Sequence, residues 1–206
     1  MFQKKVLCFE GIDGSGKTTL VRILSERISC PVLVIADPGG SELGNRIRRI
    51  LSDSGSTAHP WVDALLFLAG RVENIHRMIL PALQQEKCVL LDRFFDSTFA
   101  YQGYGQGLNL QALKKVSDAV LEGFRPDLTF ILDCPVEVAA KRIEDRPEVL
   151  SRWERLGRSF MERVRQGYLE IAGSDPDRYV VLDATADPET LCRRVLDICE
   201  RLRGSS

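Results

Sequence analysis

Short apolar runs alternate with longer amphipathic segments along the whole chain, and this alternation constrains the fold more than any other feature. The strand candidates are VLCFE, VLVIA, VLLD, LTFILD and YVVLD. Each is short and apolar enough to be buried on both faces of a sheet. Helices are expected between them, at about residues 17–28, 42–53, 61–86, 94–103, 109–121, 135–143, 152–173 and 188–202. The pattern predicts an α/β fold: a doubly wound, five-stranded parallel sheet flanked by helices, with ligands beyond the carboxyl ends of the strands.

The chain has the size and composition of one globular domain. It has 206 residues, of which 44% are hydrophobic and 28% charged, close to the average for globular proteins. It contains no repeat or linker, so we expect a single domain over residues 1–206. The net charge of -1, from 28 basic and 29 acidic side chains, creates no field that would attract a nucleic acid.

The sequence contains no signal for a membrane or for an oxidising compartment. No apolar stretch approaches the ~20 residues that span a bilayer, and the amino terminus lacks the apolar core of a signal peptide. The six cysteines include no C-x-x-C pair, and we expect reduced thiols that act as small apolar groups. These features predict a cytoplasmic protein without a membrane partner.

A phosphate-binding loop follows the first predicted strand. Gly11, Gly16, Lys17 and Thr18 fit G-x-x-x-x-G-K-[ST], in the required position between a strand and a helix. The glycines let backbone N–H groups surround the phosphates, Lys17 supplies a charge for the β- and γ-phosphates, and the helix start adds its partial positive charge. The predicted nucleotide contacts are Gly11, Gly14, Ser15, Gly16, Lys17, Thr18 and Thr19.

Residues near the loop favour phosphoryl transfer over hydrolysis. The chain lacks the Asn-Lys-x-Asp motif of guanine-specific switches, and Arg93 follows Asp92 where an ATP-hydrolysing machine usually has a glutamate. An arginine there suits a second phosphate. We expect Thr18 and Asp92 to bind Mg²⁺, directly or through water, and Asp13 to face Mg²⁺ or an acceptor, the alternative being a solvent-facing turn.

Three other predicted strands also end in or run into an acidic residue. These residues are Glu10, Asp133 and Asp183. Carboxylates at the ligand edge of the sheet suit a magnesium-nucleotide site. For Asp133 and Asp183, capping of the next helix is the alternative.

An arginine-rich segment interrupts the helical pattern in the second half of the chain. Residues 141–158, KRIEDRPEVLSRWERLGR, contain five arginines and one lysine, broken by Pro147 and Gly157. The charge density and the two interruptions predict a mobile lid over the cleft. Because the phosphate loop contains no arginine, charge on a transferring phosphate has to be met from elsewhere, and lid closure would also expel water.

Five sequence blocks, taken together, resemble those of bacterial thymidylate kinases. They are ADPGGSELGNRIRRIL, LLFLAGRVENI, ILPALQQEKCVLLDRFFDSTFAYQGYGQGL, RPDLTFILDCPVEVAAKR and YLEIAGSDPDRYVVLDAT. The resemblance covers residues 9–187, and DRFFDSTFAYQGYGQGL is its most specific part. It implies transfer of the γ-phosphate of ATP to dTMP with Mg²⁺, on a P-loop fold and commonly in a homodimer.

The resemblance also implies roles for individual residues. Phe67 would stack on thymine, and Arg71, four residues on and therefore on the same helical face, would reach O4 of the base. Arg93 would hold the acceptor phosphate, and Tyr101 would exclude a ribose 2′-hydroxyl. The implied dTMP contacts are Asp13, Pro38, Phe67, Arg71, Arg93, Ser97, Thr98, Tyr101 and Gln102, with Ser97, Thr98 and Gln102 facing the base edge. The implied catalytic residues are Lys17, Arg93, Asp13, Arg142 and Arg146, with Arg152 a third lid arginine.

The chain departs from the bacterial pattern at several positions. Ala36 and Asp37 stand where Arg-Glu is usual, Phe94 replaces a frequent tyrosine, and Pro147 replaces a frequent glycine. The first change alters the side chains that the loop after the second strand offers to an acceptor and to a metal. A kinase for another deoxynucleoside monophosphate and a nucleotide-binding regulator without turnover therefore stay open as alternatives.

Overall fold

A parallel sheet forms the centre of the molecule. The computed structural model describes residues 2–52, 58–147 and 150–203. Within these ranges five parallel strands form one sheet in the order β2-β3-β1-β4-β5. The strands are β1 Val6–Glu10, β2 Val32–Ala36, β3 Cys88–Asp92, β4 Leu128–Asp133 and β5 Tyr179–Asp183. The predicted five-stranded parallel α/β fold is confirmed.

Helices connect and cover the strands. They are α1 Lys17–Arg27, α2 Glu42–Ser52, α3 Pro60–Asn74, α4 Leu80–Gln84, α5 Phe95–Thr98, α6 Leu110–Leu121, α7 Val136–Glu144, α8 Arg158–Gly173 and α9 Pro188–Arg203. A π-helical turn, Ile75–Ile79, joins α3 to α4, and a second, Phe99–Gly105, extends α5. A 3₁₀ turn at Glu154–Leu156 precedes α8. None of the described helices combines the length and apolarity needed to cross a bilayer.

The predicted helix at 152–173 is wrong at its start. Helix α8 begins at Arg158, because Gly157 adopts a φ of 82° that interrupts a helix. The π-turn conformation within the predicted helices at 61–86 and 94–103 was also not foreseen. The last residue of the predicted helix at 42–53, Asp53, and the lid residues Glu148 and Val149 lie outside the described residues.

Alternate side chains of β1 enter two different cores, which makes the sheet two-sided. Leu7 and Phe9 pack in a cluster with residues of α1, α8 and α9, whereas Val6 and Cys8 pack in another with residues of α3 and α6. The Phe9 ring stacks on that of Phe130 with ring centroids 5.4 Å apart. Burying such a side chain stabilises the fold by about 2 to 3 kcal/mol. Strands buried on both faces explain the continuous apolar runs of the sequence.

The strand order places two loops side by side at one edge of the sheet. Strand β1 lies between β3 and β4, and Phe9 is in register with Asp92. The connections that leave β1 and β3 run to different sides, so a crevice opens where their carboxyl ends meet. The phosphate-loop sequence and Arg93 both lie at this point.

Candidate active site

A cleft of about 940 Å³ opens beyond the carboxyl ends of β1, β2 and β3, a size that suits small-molecule ligands. Its walls come from the phosphate loop, the end of β2, helices α2, α3 and α5, and the arginine-rich segment. Among the residues that line it are Asp13, Gly14, Gly16, Lys17, Thr18, Thr19, Pro38, Phe67, Arg71, Asp92, Arg93, Ser97, Thr98, Tyr101, Gln102, Arg142, Arg146 and Arg152. The structure thus brings together the residues predicted to contact ATP and dTMP, the predicted catalytic residues, and Thr18 and Asp92, except for Gly11 and Ser15, which are buried.

The phosphate loop between β1 and α1 depends on glycine for steric reasons. Gly14 has a φ of 79°, and a Cβ atom there would lie 2.4 Å from the carbonyl oxygen of Ala139. Lys17, at the start of α1, is buried, and its Nζ donates to the Ile12 carbonyl at 2.8 Å and to Ser15 Oγ at 3.3 Å. Burial and the nearby Arg93 charge lower the pKa of Lys17 to about 8. The loop is therefore closed around its own lysine, next to the cleft.

Thr18 and Asp92 form an oxygen pair between the loop and β3. The Thr18 hydroxyl donates to Asp92 Oδ2 at 2.5 Å, and both residues line the cleft. A hydroxyl and a carboxylate are hard oxygen ligands, which suit Mg²⁺. Among the described residues no group of three or more His, Cys, Asp or Glu side chains could hold a metal. Two protein oxygens fit an ion that usually keeps several waters and binds substrate phosphates.

Arg93 projects into the same part of the cleft from the residue after β3. Its φ of 73° is a left-handed conformation that costs a non-glycine residue roughly 1 to 2 kcal/mol. One guanidinium nitrogen, Nη1, donates to the Gly11 carbonyl at 2.9 Å, to Ser97 Oγ at 3.1 Å and to Tyr168 OH at 2.9 Å. The other, Nη2, donates to Asp13 Oδ1 at 2.7 Å and to Tyr101 OH at 3.2 Å. Both sides of the guanidinium are thus held.

Asp13 forms an ion pair with Arg93 at 2.7 Å in the cleft lining, so the structure rules out the solvent-facing turn. Its Oδ2 accepts from Tyr101 OH at 3.0 Å, and its backbone N–H donates to the same hydroxyl at 3.1 Å. Burial raises the pKa of Asp13, but the Arg93 and Lys17 charges lower it more, and the net shift is downward. The carboxylate therefore stays ionised as part of a charged pair that lines the cleft.

Glu10 does not face the cleft, which corrects the expectation that this strand-end carboxylate belongs to a magnesium site. It is fully buried, and Oε1 accepts from the backbone N–H groups of Phe94 at 2.7 Å and Ser97 at 3.1 Å. Oε2 accepts from Ser97 Oγ at 2.6 Å and from Tyr168 OH at 2.9 Å. Burial raises the pKa of Glu10 in spite of these bonds and of Arg93.

The other two strand-end acids also lie apart from a metal site. Asp133 forms a two-bond ion pair with Arg165 of α8, at 2.6 and 3.0 Å. Asp183 accepts from the backbone N–H of Thr185 at 2.9 Å and from its hydroxyl at 2.6 Å. The first residue fixes α8 to the sheet, and the second stabilises a turn.

Arg71, in the last turn of α3, forms the far wall of the cleft. It is 1% exposed, its Nε donates to Asp37 Oδ2 at 2.6 Å, and its Nη1 donates to Thr98 Oγ1 at 2.6 Å. Its Cζ lies 5.4 Å from the centroid of the Phe67 ring, as the four-residue spacing predicts. Burial raises the pKa of Asp37, against the opposing effect of Arg71. Asp37 thus serves Arg71 even though Ala36 has replaced the usual arginine.

Two predicted base-edge residues are placed differently from each other. The Ser97 hydroxyl is engaged by Glu10, Arg93 and Tyr168, at 2.6 to 3.1 Å, which differs from the expected position at a base edge. Gln102 is 1% exposed and lines the cleft, and neither its amide oxygen nor its amide nitrogen has a hydrogen-bond partner within the described residues. A buried amide of this kind needs a partner such as an ordered water or a ligand. The contact of Gln102 with a base edge stays a prediction.

The three predicted lid arginines are held at three different places. Arg142 Nη2 donates to the Ala184 carbonyl at 3.0 Å, and Arg142 Nη1 lies 3.4 Å from the Gly14 carbonyl, beside the phosphate loop. Arg146 pairs with Glu154 at 2.5 Å within the lid. Arg152 forms an ion pair with the buried Asp63 of α3, and its guanidinium lies 4.2 Å from the centroid of the Trp153 ring.

Several residues that shape the cleft were not identified from the sequence. Trp153 packs edge-on against Tyr101, with ring centroids 6.1 Å apart, so that the arginine-rich segment contacts the cleft wall that carries Tyr101. Asn74 donates to the Gly39 carbonyl at 2.8 Å and accepts from the Ser41 N–H at 3.0 Å, which fixes the loop after β2. Tyr168 and Asp63 are two further residues that contact the site and were not identified from the sequence. Nothing in their local sequence marked them, because each acts on an element distant in the chain.

A phosphate loop with its lysine, an adjacent oxygen pair and the Arg93 guanidinium beside them, on a doubly wound sheet, are the features of a P-loop nucleotide kinase, which is a phosphotransferase. The thymidylate kinase family profile matches residues 9–195. The chain therefore belongs to the thymidylate kinase family.

Individual relatives agree with this assignment. A thymidylate kinase of Pelotomaculum thermopropionicum is 41% identical over 212 aligned residues, covering 98% of each chain. One of Desulforudis audaxviator is 44% identical over 183 residues, covering 86% of this chain and 82% of that protein. The crystal structure of thymidylate kinase from Ehrlichia chaffeensis matches with a TM-score of 0.79 at 32% identity, over 96% of this chain and 99% of that chain.

Proposed function

We propose that the protein transfers the γ-phosphoryl group of ATP to dTMP, giving dTDP and ADP, a step that supplies dTTP. The observation that carries the proposal is the position of Arg93. Its guanidinium lies at the phosphate loop, 2.7 Å from Asp13, and Arg71 and Phe67 form the cleft wall beyond it. This arrangement provides one site for a triphosphate and a second for a phosphate attached to a base. Family membership and the names of the relatives support dTMP as the acceptor.

The reaction needs charge neutralisation and alignment of the two substrates. A phosphate oxygen of dTMP forms a bond to the γ-phosphorus of ATP, and the bond from that phosphorus to the β–γ bridging oxygen breaks, so that ADP leaves with the electron pair. Lys17 holds the β- and γ-phosphates. When dTMP binds, the Arg93 guanidinium leaves Asp13 and binds the acceptor phosphate instead. Because both reacting groups are anionic, fixed cations lower the barrier without a covalent enzyme intermediate.

Mg²⁺ belongs to the proposal as the ion that accompanies ATP. Thr18 and Asp92 would hold it, directly or through water, and when bound it offsets negative charge on the phosphate oxygens. Asp13, next to Arg93, orients the guanidinium before the acceptor arrives. Its place at the cleft also suits contact with the acceptor itself.

The acceptor wall gives a physical basis for choosing thymine and deoxyribose. Phe67 offers a ring face to any base. Arg71 has only donors, which can donate to a thymine carbonyl oxygen and are mismatched with a cytosine amino group. Within the part of the chain that the structure describes, the Gln102 amide has no hydrogen-bond partner, so it offers a donor and an acceptor beside them. The Tyr101 ring, held by Asp13 and by Trp153, would leave no room for a 2′-hydroxyl.

The lid would complete the site when it closes. Arg142 is already fixed beside the phosphate loop, and Arg146 and Arg152 line the cleft from the segment 141–158. We assign neutralisation of the charge on the transferring phosphate to Arg142 and Arg146. We place Arg152 nearer the acceptor, because its partner Asp63 lies on α3.

A coupled ADP-release assay with Mg-ATP tests the proposal directly. The acceptors are dTMP, dUMP, UMP, dCMP and dGMP, with a reaction lacking acceptor to measure hydrolysis. We expect dTMP to give the highest kcat/KM, dUMP a lower one because it lacks the 5-methyl contact, and UMP the weakest of the three. No ADP above background with dTMP would refute the assignment.

The same panel separates the two alternatives. A preference for dCMP or dGMP would show that the Ala36–Asp37 loop has changed the acceptor, and the base contact assigned to Arg71 would then be wrong. ATP binding without transfer to any acceptor would indicate a regulator. The intact Lys17 and Thr18 and the buried Asp37–Arg71 pair oppose both alternatives.

We further propose a cytoplasmic homodimer. Exposed apolar side chains lie on the neighbouring helices α2 and α3, namely Leu43, Ile50, Val62 and Leu65. Such side chains suit an interface between two copies. Light scattering after size exclusion should give twice the 23.1 kDa chain mass, and Leu65→Glu should give the monomer mass. The six cysteines, all without disulfides, suit a reducing compartment.

A further inference from the structure

The two sides of the Arg93 guanidinium have different surroundings. Nη2 lies with Asp13 and Tyr101, which both line the cleft, and we call this side the working edge. Nη1 lies with the Gly11 carbonyl, Ser97 and Tyr168, and we call this side the held edge. Tyr168 is 1% exposed and comes from α8, the helix that follows the lid. The acceptor phosphate can reach the working edge. At the held edge, Gly11 and Tyr168 lie outside the cleft lining, and Ser97, which lines the cleft, has its hydroxyl bonded to Glu10.

Glu10 sets the direction of the hydrogen bonds at the held edge. The Ser97 and Tyr168 hydroxyls both donate to Glu10 Oε2, at 2.6 and 2.9 Å. A hydroxyl has one proton, so each oxygen then presents only lone pairs to Arg93. The guanidinium has only donors and matches this polarity. Without the carboxylate, the hydroxyl protons would be free to turn towards Arg93 and oppose it.

Glu10 also holds the backbone on which Arg93 is mounted. Its Oε1 accepts from the N–H groups of Phe94 and Ser97, immediately after the left-handed Arg93. The Arg93 N–H donates to the Phe9 carbonyl at 2.9 Å. The strained residue is therefore fixed on both sides by β1 and its last side chain.

We propose that Tyr168 and Glu10 are positioning residues for acceptor-phosphate binding, which orient Arg93 by holding its Nη1 side so that Nη2 meets the phosphate. This inference rests on the proposed function of the same site. It adds two residues that touch no substrate and links α8 to the acceptor phosphate. In particular, the Tyr168 hydroxyl acts only through Arg93.

The test compares Tyr168→Phe with Tyr179→Phe. Tyr179 is a matched control because its hydroxyl also donates to a buried carboxylate, Asp96 Oδ1 at 2.8 Å, and its neighbouring guanidinium is that of Arg178 rather than Arg93. Calorimetry measures the Kd of dTMP and of thymidine, which lacks the phosphate, for the unsubstituted protein and both variants. We expect Tyr168→Phe to weaken dTMP binding about tenfold and to leave thymidine binding unchanged. Tyr179→Phe should change neither Kd.

Kinetics supply a second readout that a purely structural role would not change in the same way. Tyr168→Phe should raise KM for dTMP and lower kcat, with KM for ATP unchanged. In an Arg93→Lys background, Tyr168→Phe should have no further effect, since its partner is gone. Glu10→Gln should reproduce the loss of dTMP affinity, because the amide reverses the polarity at the held edge.

Three results would overturn the inference. They are an unchanged dTMP Kd in Tyr168→Phe, an equal loss of dTMP and thymidine affinity, and a full additional effect in the Arg93→Lys background. Failure of the proposed function has a different signature: the unsubstituted protein would itself show no dTMP binding and no transfer to dTMP. Assaying it in parallel keeps the two failures distinct.

Discussion

The donor and acceptor halves of the cleft are built from contacts of very different range. Lys17 donates to a carbonyl only five residues away, within one loop. Arg71 meets Asp37 across 34 residues, and Arg93 meets Asp13 and Tyr168 across 80 and 75 residues. The donor half is a local structure that one motif encodes. The acceptor half exists only when distant elements are folded against one another, so the partners of its residues do not follow from local sequence.

This difference predicts different consequences of substitution. A change in the donor half should remove activity and leave the fold intact, since the loop makes its own contacts. A change in the acceptor half should also lower the free energy of unfolding, because its ion pairs are buried between secondary-structure elements. Substitutions in each half, and one in the lid between them, test that contrast.

Lys17→Met should lower kcat/KM for ATP by about 10³-fold, because a fixed cation at the transferring phosphate is lost. Unfolding midpoints in urea should stay near those of the unsubstituted protein, since the buried lysine already bears a desolvation penalty. Lys114→Met, which removes an exposed lysine paired with Asp118, is the control and should behave as the unsubstituted protein. A loss below tenfold would contradict the donor role.

Asp37→Ala should lower the free energy of unfolding by about 3 kcal/mol, because it leaves the Arg71 guanidinium buried without its carboxylate. The double variant Asp37→Ala/Arg71→Met should recover part of that loss, since no buried charge then stays unpaired. Urea titrations with equal m-values measure both changes. If the double variant were less stable than Asp37→Ala, Arg71 would stabilise the fold through contacts other than its pairing with Asp37.

The pH dependence of ATP use should report Lys17. With its pKa lowered to about 8, the free enzyme loses the lysine charge above that pH, and kcat/KM for ATP should fall by up to tenfold per pH unit. At saturating ATP the phosphates favour the charged form of Lys17, so kcat should fall less.

The effect of the Lys17 titration on the stability of the fold has the opposite sign. Between about 8 and the ordinary pKa of 10.5, the unfolded chain binds more protons at this residue, so its contribution to stability rises with pH. Lys17→Met should lack the step in kcat/KM.

Glu154→Gln should have the smallest effect. Glu154 accepts from Arg146 and from the Ser151 N–H inside the lid, and Arg146 is 44% exposed. Such a pair contributes at most about 1 kcal/mol. We therefore expect the free energy of unfolding to stay nearly unchanged and kcat to change by about two- to threefold, which corresponds to the energy of one partly exposed ion pair. The control is Glu144→Gln, an exposed carboxylate on α7. A hundredfold loss of kcat would show that the lid depends on this bond for closure.

The sequence predicted those parts of the molecule that depend on neighbours in the chain. Strand composition gave the sheet, and the glycine-lysine spacing gave the phosphate loop. The four-residue spacing of Phe67 and Arg71 placed them together. The partners of Arg71 and Arg93 did not follow, since pairing of Asp37 with Arg71 depends on how α3 packs beside β2. Glu10 shows the limit most clearly: a strand-end acid has the same local sequence whether it faces the cleft or the interior.

The π-helical turn Phe99–Gly105 places its side chains in positions around the helix axis that a regular α-helix would not give them. Such a turn accommodates one residue more than an α-helical turn does. Tyr101 and Gln102 lie within it, and both line the cleft. Deleting a single residue after them, such as Gly103, would remove the extra residue of the turn and change where Tyr101 and Gln102 lie relative to the residues after the deletion. The acceptor wall therefore tolerates exchange of side chains far better than a change of length at this point, and insertions or deletions here should be rare among active variants.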